Sequence, residues 1–360
     1  MTLFLNRLEI TDKKRRSMTI GNSSSSSPKI QTIQNPKHKS GSFWSLRLPL
    51  EWSEWMEFLY AESSGRPLAI LRIALGSYLV VYWLGLYPFV DIYFFPPAIL
   101  PRADIDWLPW WSALKLVPES VIGCVCLFVG TILAALCLAA GLFTRLAAVA
   151  TWWLAQSWLA FPEGQNSGDF LVRTATFLMM LAALAGHAQA VLSIDSFRKH
   201  ATHDNRSIPM WPLRMFQMQL VLIYFFAGVH KVSSVDWYQG EAVYYVLQQT
   251  LWRRIDASWI RDPLLIGCFT YGTVVIEFFL FPVLIWFRRW KYWVLMAGLL
   301  FHFGIWLSTR VFVFGYIVPI YYLSFCDDDF WNRIASVFQK TEKPMTQPQS
   351  AVGVTGKKTQ

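Results

Sequence analysis

Charged residues are scarce in this chain, and their scarcity excludes an ordinary water-soluble protein. Only 15% of the 360 residues are charged, whereas a soluble globular chain carries about 25%. Hydrophobic residues make up 54% and aromatic residues 17%, with 19 Trp. A soluble domain of this size could not bury so much apolar surface, but lipid would solvate it. The sequence therefore predicts an all-α, polytopic bundle of transmembrane helices in a lipid bilayer.

Motifs for nucleotides and metals are also missing. The chain contains no P-loop, no GxGxxG and no His-Glu-x-x-His motif. Cys124 and Cys126 form a close pair, but no second pair completes a zinc site, so we expect no metal. The first apolar run, residues 1–5, is too short for a cleavable signal peptide. We therefore expect the helices themselves to direct insertion into the membrane.

Positive charge is concentrated near the start of the chain. Residues 1–47 hold nine Lys or Arg against Glu9 and Asp12, which gives +7 of the net +9. A basic arm could bind nucleic acid, but beside membrane helices it marks the cytoplasmic side. Residues 1–42 show no hydrophobic periodicity, so we predict a disordered cytoplasmic arm and no nucleic-acid partner. Residues 331–360 are predicted to be a flexible cytoplasmic tail.

Eight apolar segments are candidate membrane spans, because about 20 helical residues cross the hydrocarbon core. They are 68–87, 120–142, 146–161, 170–191, 213–233, 264–287, 292–309 and 311–326. Before them, residues 50–62 alternate Trp and Met with Glu, which is typical of a helix in the membrane interface. The even count and the distribution of Lys and Arg predict a multi-pass protein of the cell membrane with both termini cytoplasmic.

Ionisable and polar residues inside these spans are the candidate functional residues, since a central charge costs about 2.5–3.5 kcal/mol. Gln217, Tyr224 and Lys231 are spaced by seven and share one helix face. Lys231 could extend to the headgroups or join an inward polar stripe, and both interpretations stay open. Glu277 lies deep in its span and must be paired or protonated. His302 is either a packed hydrogen-bonding residue or part of a proton path.

A polar turn precedes the predicted span 170–191. Asn166 and Asp169 lie in this turn, at a helix N-terminus whose free N–H groups favour anions. Arg173 follows Asp169 by four residues, so the two side chains share a face and could form a salt bridge. A helix cap with a structural salt bridge and a substrate site are both compatible with this pattern.

Three segments of the chain resemble the HTTM domain, the vitamin K-dependent gamma-carboxylase-like family. They are IYFFAGVHK at 223–231 followed by Asp236, Trp237 and Gly240, DIYFFPPAILPR at 91–102, and Phe301-His302 with Phe314-Gly315. The resemblance covers residues 66–330, and its most specific part is the segment that ends at Lys231. It implies a membrane domain of several helices.

The resemblance also implies a chemistry. In the animal carboxylase a hydroquinone meets oxygen, and the resulting strong base removes a glutamate gamma-proton so that carbon dioxide can add. The lysine that matches Lys231 activates the hydroquinone, and His302 looks like the match of a late-helix histidine, so both are the expected catalytic residues. The substrate- or quinone-binding candidates are Asn166, Asp169, Arg173, Tyr224, His230, Asp236, Trp237 and Glu277.

The chain departs from the carboxylase at identifiable positions. It has Ser167-Gly168-Asp169 where the enzyme has an active-site histidine, and we expect it to lack the large lumenal part of the enzyme. We therefore expect a quinol-linked redox or carboxylase-like enzyme with its site on the outer side of the membrane. The alternative is a non-catalytic binding or scaffold protein that keeps the fold. A small transporter ranks third, since inverted repeats are expected for it and none is visible.

Overall fold

The structure is a computed structural model that describes residues 51–95, 108–160, 167–198, 207–257, 259–310 and 312–341. Helices provide nearly all the regular structure in these ranges, so the predicted all-α class is confirmed. Strands β1 (Glu62–Ser63) and β2 (Ile208–Pro209) form one short antiparallel pair. Four predicted features lie outside the described residues: the arm 1–42, Asn166, residues 96–102 of the family-like loop, and residues 342–360 of the tail.

The helices have the following bounds in chain order. They are α1 (Trp52–Tyr60), α2 (Arg66–Phe94), α3 (Ala113–Leu116), α4 (Val121–Ala140), α5 (Thr144–Trp158), α6 (Ser167–Leu184), α7 (Ile194–Arg198), α8 (Trp211–Val232), α9 (Val235–Tyr238), α10 (Ala242–Gln248), α11 (Pro263–Val275), α12 (Lys291–Ser308), α13 (Phe312–Tyr322) and α14 (Asp328–Thr341). A π-helical segment (Ile276–Leu280) continues α11, and short 3-10 turns (Leu284–Trp286 and Leu323–Phe325) follow it and α13.

Five helices in the described ranges are long and apolar enough to cross a membrane. They are α2, α4, α6, α8 and α11 with its π-helical segment. The predicted count of eight spans is not confirmed, because α5 has 15 residues and α13 has 11, whereas a crossing needs about 20. The polytopic membrane character is nevertheless clear from the five long helices alone.

Apolar residues of α2, α4, α6 and α8 form much of one core. On α2, the leucines at 68, 71, 75 and 79 recur every three or four residues and are fully buried. Helices α2, α4, α5 and α6 pack in sequence, each against the next. Helix α13 packs against α2, α6, α8 and α12. Helix α13 therefore connects α2 and α6 to α8 and α12.

The bundle has two ends, and its first and last helices meet at one of them. Ser64 donates a hydrogen bond to Asp328 (2.5 Å), and Arg66 donates to Asn332 (2.7 Å). We call this the cavity end, because a cavity described below opens there. Helix α8 starts at the same end, beside β2, and its 22 residues extend over about 33 Å. Lys231 at its far end therefore marks the opposite end, which we call the lysine end.

Helices α1 and α14 lie at the two ends of the described chain, and both carry apolar residues, as a helix in the membrane interface does. None of the residues of α1 is buried in the protein, and Trp52 is 79% exposed. Helix α14 continues to Thr341, so the first part of the predicted tail 331–360 is helical. Phe330, Trp331 and Ile334 give it a helical apolar stripe, and the Trp331 ring N–H donates to the carbonyl of Cys326 (3.2 Å).

Asp327 fixes the start of α14 against α12 at the cavity end. Its carboxylate accepts hydrogen bonds from the Lys291 ammonium (2.8 Å), the Tyr292 hydroxyl (2.8 Å) and the backbone N–H of Phe330 (3.1 Å). Partial burial raises the pKa of Asp327, but the hydrogen bonds and the charge of Lys291 outweigh it and lower the pKa below its usual value. The ionised Asp327 carboxylate therefore stabilises the folded protein at pH values above its unfolded-state pKa. This stabilisation is lost as the pH falls through its folded-state pKa.

Candidate functional site

One face of α8 carries polar residues into the bundle. Gln217 and Tyr224 are 4% and 3% exposed, and Gly228 on the same face is also buried. Gln217 donates its amide N–H to the carbonyl of Ser324 (2.6 Å). The spacing of seven residues is close to two helical turns, which is why these positions align. The inward polar stripe inferred from the sequence is therefore present.

Lys231 forms an ion pair with Glu277. The Lys231 Nζ lies 2.5 Å from Oε2 of Glu277, and the two side chains are only 19% and 10% exposed. The same Nζ lies 5.0 Å from the centroid of a Trp237 ring, so the ammonium also faces an aromatic surface. Of the two interpretations left open for Lys231, the structure shows the inward one. It also supplies the partner that the depth of Glu277 requires.

A π-helical segment presents Glu277 to α8. The predicted span 264–287 is not one regular helix, because α11 gives way at Ile276 to five π-helical residues. Gly228 lies directly opposite, and a Cβ there would stand 2.8 Å from the Cα of Phe278. Only glycine permits so close an approach of the two backbones. Segments of this kind are frequent at functional sites, and a pattern that assumes 3.6 residues per turn cannot locate them.

Three buried side chains form a hydrogen-bonded triad in the middle of the bundle. The Tyr224 hydroxyl lies 2.5 Å from Nε2 of His302 and 2.6 Å from the hydroxyl of Tyr322. These residues come from α8, α12 and α13. The Phe281 ring stacks on Tyr224, with centroids 3.9 Å apart, and on Tyr322, with centroids 5.3 Å apart. We call Tyr224, His302 and Tyr322 the tyrosine–histidine triad.

Asp169 and Arg173 belong to a second polar group, on α6. The Asp169 carboxylate accepts a hydrogen bond from the Tyr82 hydroxyl of α2 (2.7 Å). Arg173 donates from Nε to the side-chain oxygen of Gln156 on α5 (2.7 Å), and not to Asp169. The expected salt bridge within the helix is therefore replaced by contacts between helices. Neighbouring helices offer partners with better geometry than two side chains four residues apart on one helix.

The two polar groups are joined through α13. Tyr321 donates its hydroxyl to the carbonyl of Leu171 on α6 (3.0 Å), and the next residue, Tyr322, belongs to the triad. Among the other predicted binding residues, Trp237 lies beside Lys231, whereas His230 and Asp236 are exposed at the lysine end.

Sequence reasoning missed Tyr322, Tyr82 and Gln156. None of the three carries a charge, and each lies within an apolar helix, so no pattern distinguishes it from a core residue. The tight packing around Tyr322 is visible only in the structure. Gly298 faces it, and a Cβ at Gly298 would overlap the Tyr322 hydroxyl and the Phe281 ring.

A comparison with known protein families finds a match that extends over most of the chain. The family described as the HTTM domain matches residues 60–331, which is most of the chain. The chain belongs to the HTTM family. The resemblance recognised in the segment ending at Lys231 is therefore confirmed over the whole helical bundle. No curated protein and no solved structure gives a significant match.

The lysine end places an ion pair that can exchange protons beside an aromatic ring. The Lys231–Glu277 pair can accept or donate a proton, and Trp237 offers a ring surface beside it. Phe225 and Phe278 stack on the outside of the same two elements, 5.8 Å apart, and are 37% and 41% exposed. Within the described ranges, no group of three His, Cys, Asp or Glu could hold a metal ion.

Proposed function

We propose that this HTTM protein is a quinol-linked redox or carboxylase-like enzyme whose site lies at the lysine end. The observation that carries the proposal is the ion pair of Lys231 with Glu277, largely withdrawn from solvent next to an aromatic ring. Charged groups inside a membrane protein are costly and mark functional sites more often than structural ones. A bound hydroquinone would supply the electrons that reduce oxygen, as the resemblance to the animal carboxylase implies.

The pair acts as one proton acceptor. It can exist as ammonium with carboxylate or as amine with carboxylic acid, and the two forms share one proton between the residues. Either form has no net charge. When the pair takes a proton from a substrate hydroxyl, the O–H bond breaks, a new N–H or O–H bond forms on Lys231 or Glu277, and the pair becomes positive. That charge stabilises the negative oxygen left on the substrate.

The tyrosine–histidine triad supports this site from within the bundle. Tyr224 lies two turns before Lys231 on the same face of α8. His302 receives or donates the hydrogen bond that fixes the Tyr224 hydroxyl. We assign His302 and Tyr224 to holding a proton near the pair. Asp169 and Arg173 are assigned to the edge of the site, where α6 contacts α2 and α5.

We place the cavity end in the cytoplasm and the lysine end outside. Arg66, Arg288 and Lys291 gather at the cavity end, which is the bias found on cytoplasmic sides. The contacts of Ser64 with Asp328 support an even number of crossings and hence both termini on the cytoplasmic side of the cell membrane.

Reporter fusions test this orientation. Fusions at Gly21 and Gly353 should both report the cytoplasm, because the chain enters and leaves the bundle at one end. A fusion within 240–260 should report the outer side. Opposite locations for the two termini would overturn the even number of crossings.

Quinone content tests the proposed function. Protein purified in mild detergent should yield about one quinone per chain on organic extraction, consistent with the single lysine-end site, because aromatic contacts contribute roughly 0.5–1.5 kcal/mol each to holding a ring. Trp237→Ala should lose the quinone, since it removes the ring beside Lys231. Trp293→Ala is the matched control, because Trp293 is 71% exposed on α12, near the cavity end.

Three outcomes separate the interpretations. Retention in wild type and Trp293→Ala but not in Trp237→Ala supports the site. Quinone retention with no quinol oxidation in any condition would favour the binding-protein alternative. Absence of quinone in wild type, together with no binding of added quinol by calorimetry, would overturn the proposal.

A further inference from the structure

A cavity penetrates the bundle from the cavity end and reaches the polar face of α8. Its volume is about 410 Å³, and its lining includes Arg214, Gln217 and Ser324. Arg214 donates to the side-chain oxygen of Gln217 (2.9 Å), and Gln217 donates to the carbonyl of Ser324 (2.6 Å). The first member of the polar stripe therefore lies at the wall of a space large enough for several waters.

The remaining members of the stripe continue from this cavity to the lysine end. Tyr224 follows Gln217 by seven residues and Lys231 follows Tyr224 by seven, so each step is about 10.5 Å along the axis. Side chains on a helix lean toward its N-terminus, which for α8 is the cavity end. Tyr224 therefore leans toward Gln217, and Lys231 leans toward Tyr224.

We propose that this stripe is a proton path between the cavity and the Lys231–Glu277 pair, running past Gln217 and through the tyrosine–histidine triad. Protons move by exchange: the Tyr224 hydroxyl takes a proton from one neighbour and gives its own to another. No electron moves, and every group ends as it began. Between these side chains the path requires water that enters from the cavity. The activity is a proton movement that needs no quinol, so it goes beyond the proposed enzyme function.

Each of these hydrogen bonds, taken alone, is explained by a structural role in holding two helices together. That role does not explain why the polar side chains follow one another along α8. Six polar side chains on four elements follow one another from the cavity to an ion pair that is largely withdrawn from solvent, namely Gln217, Tyr224, His302, Tyr322, Lys231 and Glu277. Phe281 stacks against both Tyr224 and Tyr322 within this series. Its ring is fully buried at the centre of the proposed path, so we expect the proton flux to be slow.

Proton flux into proteoliposomes tests the path. The purified full chain is reconstituted with a pH-sensitive dye inside, and a potassium gradient with valinomycin supplies the driving potential. The internal pH of vesicles that contain the wild-type protein should change faster than that of protein-free vesicles. Tyr224→Phe removes one hydroxyl from the centre of the triad, and the flux should fall at least about tenfold, since a positioned proton-transfer group contributes roughly 10²–10⁴-fold.

Tyr316→Phe is the matched control. The Tyr316 hydroxyl accepts a hydrogen bond from the Trp306 ring N–H (2.7 Å), so it also joins α12 to α13, but on an exposed surface. This variant should conduct like wild type. Gln217→Leu provides a second test at the cavity wall and should reduce flux as Tyr224→Phe does. Size-exclusion profiles and thermal unfolding show whether each variant is folded.

The outcomes are distinct from those of the proposed function. No flux above protein-free vesicles in folded wild type would overturn the path, as would full flux in both folded Tyr224→Phe and folded Gln217→Leu. Equal loss in Tyr316→Phe would show a general defect in helix packing and would also overturn it. Since the assay contains no quinol, failure of quinone binding leaves this result unaffected, and failure of the flux leaves quinone binding unaffected.

Discussion

Replacement of Lys231 by Met is expected to lower turnover by roughly 10²–10⁴-fold, the contribution of a positioned proton acceptor. Methionine is close to lysine in shape but cannot carry the proton of the Lys231–Glu277 pair. Turnover is measured as quinol oxidation by the reconstituted protein, alongside complementation of a deletion strain. Lys291→Met is the matched control, because Lys291 is also largely buried and pairs with an aspartate, 2.8 Å from Asp327 at the cavity end.

Stability should separate from activity in the same series. Lys231→Met leaves Glu277 buried without its cation, which lowers the free energy of unfolding by about 3–5 kcal/mol. The double variant Lys231→Met with Glu277→Gln removes both charges and should recover most of that loss. Its activity should not recover, because the proton acceptor is absent. Thermal unfolding in detergent and quinol oxidation are measured on the same preparations.

The double variant decides between a chemical and a structural pair. If it regained both stability and complementation, the pair would serve only to hold α8 against the π-helical segment. If Lys231→Met alone complemented fully at normal expression, the enzyme proposal would lose its main support. Loss of complementation in Lys291→Met at normal folded yield would show that the assay responds to any lost lysine.

The polar face of α8 could be predicted because charge and period are visible in a sequence. Lys231 interrupts an apolar run, and a spacing of seven places Gln217, Tyr224 and Lys231 on one face whatever surrounds the helix. The membrane bundle follows from composition in the same way. The number of spans does not, because α5 and α13 are too short for length alone to decide whether they cross.

The partners of these residues could not be predicted, because they are set by packing between helices. Arg173 shows the difference: its spacing from Asp169 suggests a salt bridge, yet α5 brings Gln156 within 2.7 Å. Glu277 was recognised as needing a partner, but its pairing with Lys231 depends on a change from α-helix to π-helix that no periodic pattern contains. Tyr322 is an uncharged residue whose role depends entirely on its neighbours.

Gly228→Ala is expected to weaken both stability and function. A Cβ at this position would stand 2.8 Å from the Cα and Cβ of Phe278, so backbone atoms must move. Forced overpacking of this kind lowers the free energy of unfolding by about 1–3 kcal/mol. Phe278 follows Glu277 directly, so the same displacement moves the carboxylate away from Lys231. A shift of about 1 Å in catalytic geometry can reduce turnover roughly 10²-fold.

Gly272→Ala separates this effect from the ordinary consequence of replacing a helical glycine. Nothing lies within 4 Å of a Cβ at Gly272, which is on α11, the helix that leads into the π-helical segment. Removing a glycine from a helix interior stabilises it by about 0.5–1 kcal/mol, so this variant should unfold at a slightly higher temperature and keep its activity. Both variants are compared by thermal unfolding and quinol oxidation. Should Gly228→Ala lose stability but keep wild-type turnover, close contact between α8 and the π-helical segment would be needed for folding alone, and the geometry of Glu277 would have no part in the reaction.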